Sequence, residues 1–214
     1  MDECFAYFLD NFGPQFDKVQ PSSDDIEKFR GKLPNKLLEY WVEHGWGGFH
    51  NGLFWLVNPD EYVDVVNSWI GERINDSQNY YVIARTAFGK MFLWNKLSGQ
   101  TVTISPLFSE ITTRPPNKYV IAGDDTVPLE SFLAAKEPNS LDIEDEKEKK
   151  LFKRVIKKCG ILKSNEMYAF EPALAIGGMP KLENVAKVDI FVHLILLEQL
   201  SEVDIRHMDV SRHI

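Results

Sequence analysis

The chain has 214 residues, of which 44% are hydrophobic and 12% aromatic, enough apolar mass for one large domain or two small ones and against global disorder. Its 32 Asp+Glu against 24 Lys+Arg give a net charge of −8, and all of that excess lies in residues 1–78, the remainder being balanced. Such a surface repels phosphate and favours a basic partner, which weighs against direct nucleic-acid binding, although acidic surfaces also serve solubility.

In chain order, Asp24 with Glu27 three residues on predicts the cap of a short helix through Phe29 and Arg30. Pro34 then suits a first helical position, and Leu37, Leu38, Tyr40, Trp41 and Val42 lead to Gly45, a left-handed stop. The run WGGFHNG over 46–52 reads as a turn-rich loop, and 53–57 as a short buried strand. Asn58, Pro59 and Glu61 open a helix to about Ile70, with Tyr62, Val65, Val66, Trp69 and Ile70 on one face and Asp60, Glu61 and Asp64 outward. Residues 71–79 read as a loop and a boundary between sub-domains 1–78 and 79–214.

From Tyr80 the period changes to that of strands. Segments 80–87, 90–94 and 100–105 predict an antiparallel meander, which 111–113 and 119–122 extend on either side of Pro115 and Pro116. Helices return over 128–136, over 142–159 and over 185–200. In the second of these, Asp145 with Lys149 and Glu146 with Lys150 make i, i+4 pairs, so the charge run EDEKEKK reads as a solvated helix face. The expected fold is α+β: mixed helices packed on an antiparallel sheet, in two sub-domains.

Catalytic motifs are wanting. There is no G-x-S-x-G, H-E-x-x-H or C-x-x-C, and 84–91 lacks the first glycine and the hydroxyl residue of a phosphate loop. Cys4 and Cys159 lack ligand spacing and read as reduced thiols. His44 and His50 flank glycines, His193 lies in an apolar stretch, and His207 and His213 belong to the tail, so no metal set and no cofactor is expected. Asp124 and Asp125 after Gly123 suit a turn better than a cation site. The acidic amino terminus has no basic n-region, and no apolar run approaches the ~20 residues of a membrane span, so a cytoplasmic location is expected.

What remains is binding. Trp46 stands in the glycine loop, where an aromatic is either a lid on the core or an exposed anchor. Tyr168 and Phe170 alternate with Met167 and Ala169, which suggests a short strand with one open face, and in AIGGMP over 175–180 the glycines either permit a tight turn or admit a partner's backbone. Glu43, Asp60, Glu61 and Asp64 are the acids expected to steer a basic partner, so the candidate partner-binding set is Glu43, Trp46, Asp60, Glu61, Asp64, Tyr168 and Phe170.

Three blocks carry a resemblance. FGP at 12–14 together with LPNKLLEYWVEHGWGGFHNGLFWLVNPDEY at 33–62 resembles the GAD-like domain of bacterial proteins. RTAFG at 85–89, and NEMYAFEPALAIGG at 165–178 followed by HLILLEQL at 193–200, are similar to the C-terminal domain of immunity proteins that neutralise type VI secretion DNase effectors. The resemblance implies a non-enzymatic, cytoplasmic inhibitor that binds a cognate nuclease toxin stoichiometrically. The glycine-aromatic run also resembles the broader SMI/KNR-like superfamily, which implies the alternative of a general interaction or regulatory scaffold module.

Overall fold

A computed structural model describes residues 2–208. The first helix, α1 (Glu3–Phe12), begins at Asp2, whose carboxylate accepts from the Phe5 N–H at 2.9 Å. Burial opposes the charge on Asp2, but hydrogen bonds from Phe5, Tyr40 and Lys36 outweigh it and lower its pKa to about 2. After β1 (Phe16–Val19) comes α2 (Ser23–Phe29), where the reciprocal capping box is Ser22 with Asp25, two residues earlier than the Asp24 and Glu27 pairing expected from sequence. Helix α3 (Asn35–His44) follows Pro34 and stops at Gly45, whose φ is +78°.

The glycine run is not a free loop. Trp46–Phe49 is strand β2, buried throughout, and it pairs with β1 and with β3 (Phe54–Leu56). Gly47 and Gly48 are needed for space: a Cβ on Gly47 would meet the Phe16 carbonyl oxygen at 2.9 Å, and one on Gly48 the Phe16 ring at 2.7 Å. A 3-10 turn at Pro59–Tyr62 leads into α4 (Val63–Ile70). The meander follows as β4 (Tyr80–Thr86), β5 (Met91–Asn95), β6 (Gly99–Ser105) and β7 (Glu110–Thr113).

Three expectations are corrected beyond this point. Residues 119–122 do not extend the sheet, because Asn117 accepts from the Tyr119 N–H and starts helix α5 (Lys118–Ile121). After α6 (Thr126–Ala134) and α7 (Pro138–Leu141), the long helix expected over 142–159 is reduced to α8 (Phe152–Cys159). Asp145 instead takes the N–H groups of Lys147 and Lys149, each at 2.9 Å, pairs with Arg154, and so offers the backbone a turn in place of helix. Lys150 opposes Glu144 at 2.9 Å, replacing the expected i, i+4 pairs. Residues 185–200 divide into β9 (Val185–Asp189), paired with β8 (Glu166–Phe170), and α9 (Ile190–Leu200), which Asp189 caps through the Val192 N–H. Strand β10 (Asp204–His207) closes the described chain, and His213 lies outside the described residues.

The main sheet has eight strands in the order β1-β2-β3-β4-β5-β6-β7-β10, antiparallel except for β10 on β7. It runs straight through the boundary expected after residue 78, since β3 and β4 pair as Phe54 with Thr86, Trp55 with Arg85 and Leu56 with Ala84. On one face, Phe8 and Phe12 of α1, Phe54, Phe92 and Phe132 of α6 stack in sequence with centroids 4.6–6.4 Å apart. The opposite face, carrying Trp55 and Arg85, receives Tyr62 and α4, and α4 packs on α9. Both faces of the central strands are therefore covered, which is why β5 reads as a continuous apolar run, MFLW, before Asn95.

Candidate functional site

The β4–β5 turn joins the two halves of the chain. Ala87 accepts from the Tyr168 N–H at 2.9 Å, and Phe88 stands among Phe152, Tyr168 and Phe170 with centroids 5.9–6.5 Å away. Gly89 has φ +79°, and a Cβ there would meet the Met167 methyl at 2.6 Å. Two hydrogen bonds fix the same joint on the other side of the strand: Arg85 donates to the Ser164 carbonyl at 2.7 Å, and the Ser164 N–H donates to Asp17 at 2.9 Å. Further along, Trp69 donates to the Leu194 carbonyl at 3.0 Å and Arg73 pairs with Glu198 at 2.6 Å.

This joint corrects two candidate residues. Tyr168 and Phe170 are 0% and 1% exposed, because the strand that alternates in sequence is covered on one side by Phe88 and Phe152 and on the other by its own neighbours. Both are core. Trp46 is also buried, edge-on to Trp41 at 5.5 Å, so it acts as a wall rather than an anchor. At 175–180, Gly177 takes φ +93°, and a Cβ on Gly178 would lie 2.0 Å from the Pro172 carbonyl oxygen, so the close approach is made by the chain to itself.

The acidic candidates lie elsewhere. Asp60, Glu61 and Asp64 occupy the 3-10 turn and the start of α4, where carboxylates favour a helix amino terminus, whereas Glu43 stands apart at the end of α3 beside His44. Asp60 is tied to Lys28 at 2.6 Å; Glu61 and Asp64 have no ion-pair partner among the described residues.

Glu61 stands at the mouth of a cleft of about 170 Å³ walled by Asp17, Trp46, Trp55, Tyr62 and Ser164. Partial burial raises the Glu61 pKa, and the positive charge of Arg85 pulls it back. Below, Arg85 is fully buried with its guanidinium 4.5 Å from the Trp55 ring centre and its Nε without a hydrogen-bond partner. Burial depresses the Arg85 pKa, opposed by Tyr62, Glu61 and Asp17, and a guanidinium stays charged under that pressure. The structure thus brings together Trp46 and Glu61 of the predicted set and adds Asp17, Arg85 and Ser164. A lone cation inside the apolar strand YYVIARTAF was the available signal for Arg85; nothing local marks Asp17 or Ser164, which meet across 147 residues of sequence.

No three His, Cys, Asp or Glu side chains converge on a metal site among the described residues, and Asp124 accepts from the Thr126 and Val127 N–H groups as a cap. Cys4 and Cys159 are free thiols. No helix of the described residues is long and apolar enough to cross a membrane.

No curated protein sequence matches the chain significantly. The crystal structure of Atu4351 from Agrobacterium tumefaciens has the same fold, with a TM-score of 0.87 at 23% identity over 97% of this chain and 94% of that one. The GAD-like domain family matches residues 3–108, and the family of the T6SS immunity protein Tdi1, C-terminal, matches residues 127–201. The chain therefore belongs to these families, carrying a GAD-like domain followed by a domain of the family of the T6SS immunity protein Tdi1, C-terminal.

Proposed function

We propose that this chain is an immunity protein that binds a cognate type VI secretion DNase toxin in a stoichiometric complex, without catalysis, and so protects the producing cell in its cytoplasm. The observation that carries the reading is the order and extent of the two family matches, which together account for most of the chain. Charge supports the nuclease class. Residues 1–78 hold the full net −8; four of their six Lys and Arg residues, Lys28, Arg30, Lys36 and Arg73, are engaged in ion pairs, and the exposed Glu61 and Asp64 are in none among the described residues. A DNA-binding face is basic, so outward carboxylates speed encounter with it and oppose competition by phosphate.

Glu43, Asp60, Glu61 and Asp64 are assigned to steering, and of the four only Asp60 is tied to a lysine, Lys28. Trp46, Tyr168 and Phe170 hold the scaffold that presents them. The test is co-purification with the product of the neighbouring gene, followed by a DNA-degradation assay with and without this chain. A tight complex with loss of nuclease activity is expected; a complex that leaves activity intact supports the scaffold alternative.

A further inference from the structure

On the far side of the sheet from Arg85, a second pocket of about 490 Å³ opens where the two matched domains meet, between β6, the 114–118 loop and α6. Its polar lining is unusual for so acidic a chain. Lys136 enters it with its ammonium 4.0 Å from the Phe132 ring centre and 4.5 Å from that of Phe92, and that ammonium makes neither an ion pair nor a hydrogen bond among the described residues. Arg114 and Lys118 line the same pocket, likewise without a carboxylate partner among the described residues. Trp94, 1% exposed, also contributes to the lining, and its indole N–H lacks an acceptor.

The charged groups around the Lys136 ammonium are Arg114 from the loop and Lys90 from the β4–β5 turn, both positive. Burial, with these two cations, depresses the Lys136 pKa to about 8. A protein with more acids than bases has thus gathered Lys136, Arg114 and Lys118 at one concave place with no ion-pair partner among the described residues, the nearby carboxylate of Glu110 acting on Lys90 instead. Two aromatic faces offset part of the cost of holding the ammonium there, and the remainder is what an anion would relieve. Pro115, Pro116 and Pro128 add flat apolar walls.

We infer that this pocket is an anion-binding site that takes a small oxyanion, phosphate or carboxylate, between Lys136, Arg114 and Lys118, with room for an apolar body against the prolines. The site is separate from the acidic cleft and does not depend on the immunity reading. A guanidinium and an ammonium recognise oxyanions as fork and point charge respectively.

The experiment titrates the intact protein with inorganic phosphate and, separately, with benzoate, using sodium chloride at equal ionic strength as control, and follows the Lys136 ε-carbon resonance by NMR together with thermal stability. At least one of the two anions is expected to raise the Lys136 titration midpoint and the melting temperature where chloride does not. Phosphate acting alone identifies a phosphate site; benzoate acting alone or more strongly identifies a carboxylate site with an apolar subsite. Lys136→Met, which keeps an apolar stem over the two rings, and Arg114→Gln, at an exposed position, should each raise at least tenfold the anion concentration needed for the melting-temperature response. Responses in both variants equal to wild type, or no response to either anion beyond that to chloride, would overturn the assignment.

Discussion

Replacing Phe88 by alanine tests whether the β4–β5 turn welds the two matched domains into one folding unit. Phe88 is 2% exposed and packs against Phe152, Tyr168 and Phe170, all contributed by the second half of the chain. Truncating a buried phenylalanine costs about 3–5 kcal/mol through lost transfer energy and the cavity left behind. Three aromatic partners fixed by β-sheet and helix cannot collapse far into the gap, which places the expected loss toward the upper end. For a chain of this length about 1 kcal/mol moves the melting temperature by roughly 2–4 °C, so Phe88→Ala, losing about 4–5 kcal/mol, should melt about 8–20 °C lower. Scanning calorimetry and urea denaturation followed by fluorescence and circular dichroism are the assays. One cooperative transition is predicted for both proteins, shifted in the variant, with coincident probes. A loss under about 1 kcal/mol, or two transitions of which only one moves, would refute the reasoning, because either would mean that the halves fold independently of this contact.

Other consequences follow from the same contacts. Trp69→Phe removes the hydrogen bond to the Leu194 carbonyl and part of a fully buried ring, and should cost about 2–4 kcal/mol in the same denaturation assay. Gly47→Ala drives a Cβ to 2.9 Å from the Phe16 carbonyl oxygen and should cost about 1–3 kcal/mol, with earlier amide exchange at the β1–β2 edge. Burial lowers the pKa of His44, His50 and His193. Each therefore binds more protons unfolded than folded just below the ordinary histidine pKa of about 6.5, so this contribution to stability is present above that pH and lost as pH falls below it. Denaturant midpoints measured from pH 7.5 down to 5 should decline below about 6.5, and a flat or rising profile would contradict the sign. In the toxin complex, Glu61→Lys with Asp64→Lys should slow association about tenfold at low salt and flatten its salt dependence, read by stopped-flow mixing; unchanged rates would remove these carboxylates from steering.

Periodicity made the middle of the fold legible. Tyr62, Val65, Val66, Trp69 and Ile70 repeat at helical spacing and form the buried face of α4, and the strands β4, β5 and β6 fall within a residue of where alternation and the FGK and NKLSG turns place them. Local signals failed where a polar side chain offered the backbone another partner, as Asp145 did for 142–151 and Asp189 did by ending β9 and starting α9. Strands that pair only across long separations were hidden as well: β1, β10 and the sheet crossing at residue 78 depend on contacts that no window of sequence contains. For the site, charge pointed to Glu43, Glu61 and Asp64, all of which are exposed, but an aromatic beside glycines reads the same whether it faces a partner or a domain joint. Tyr168 and Phe170 belonged to the joint because RTAFG, far away in sequence, supplies the surface they cover.

Stoichiometric inhibition of a nuclease is tested by titrating the neighbouring gene's product with this chain at a concentration far above the dissociation constant, with DNA cleavage as readout. Activity should fall linearly to a fixed small ratio of the two chains, with the complex recovered intact by size-exclusion chromatography. Inhibition that is complete at a small fraction of that ratio, or cleavage that continues at saturation, would contradict it.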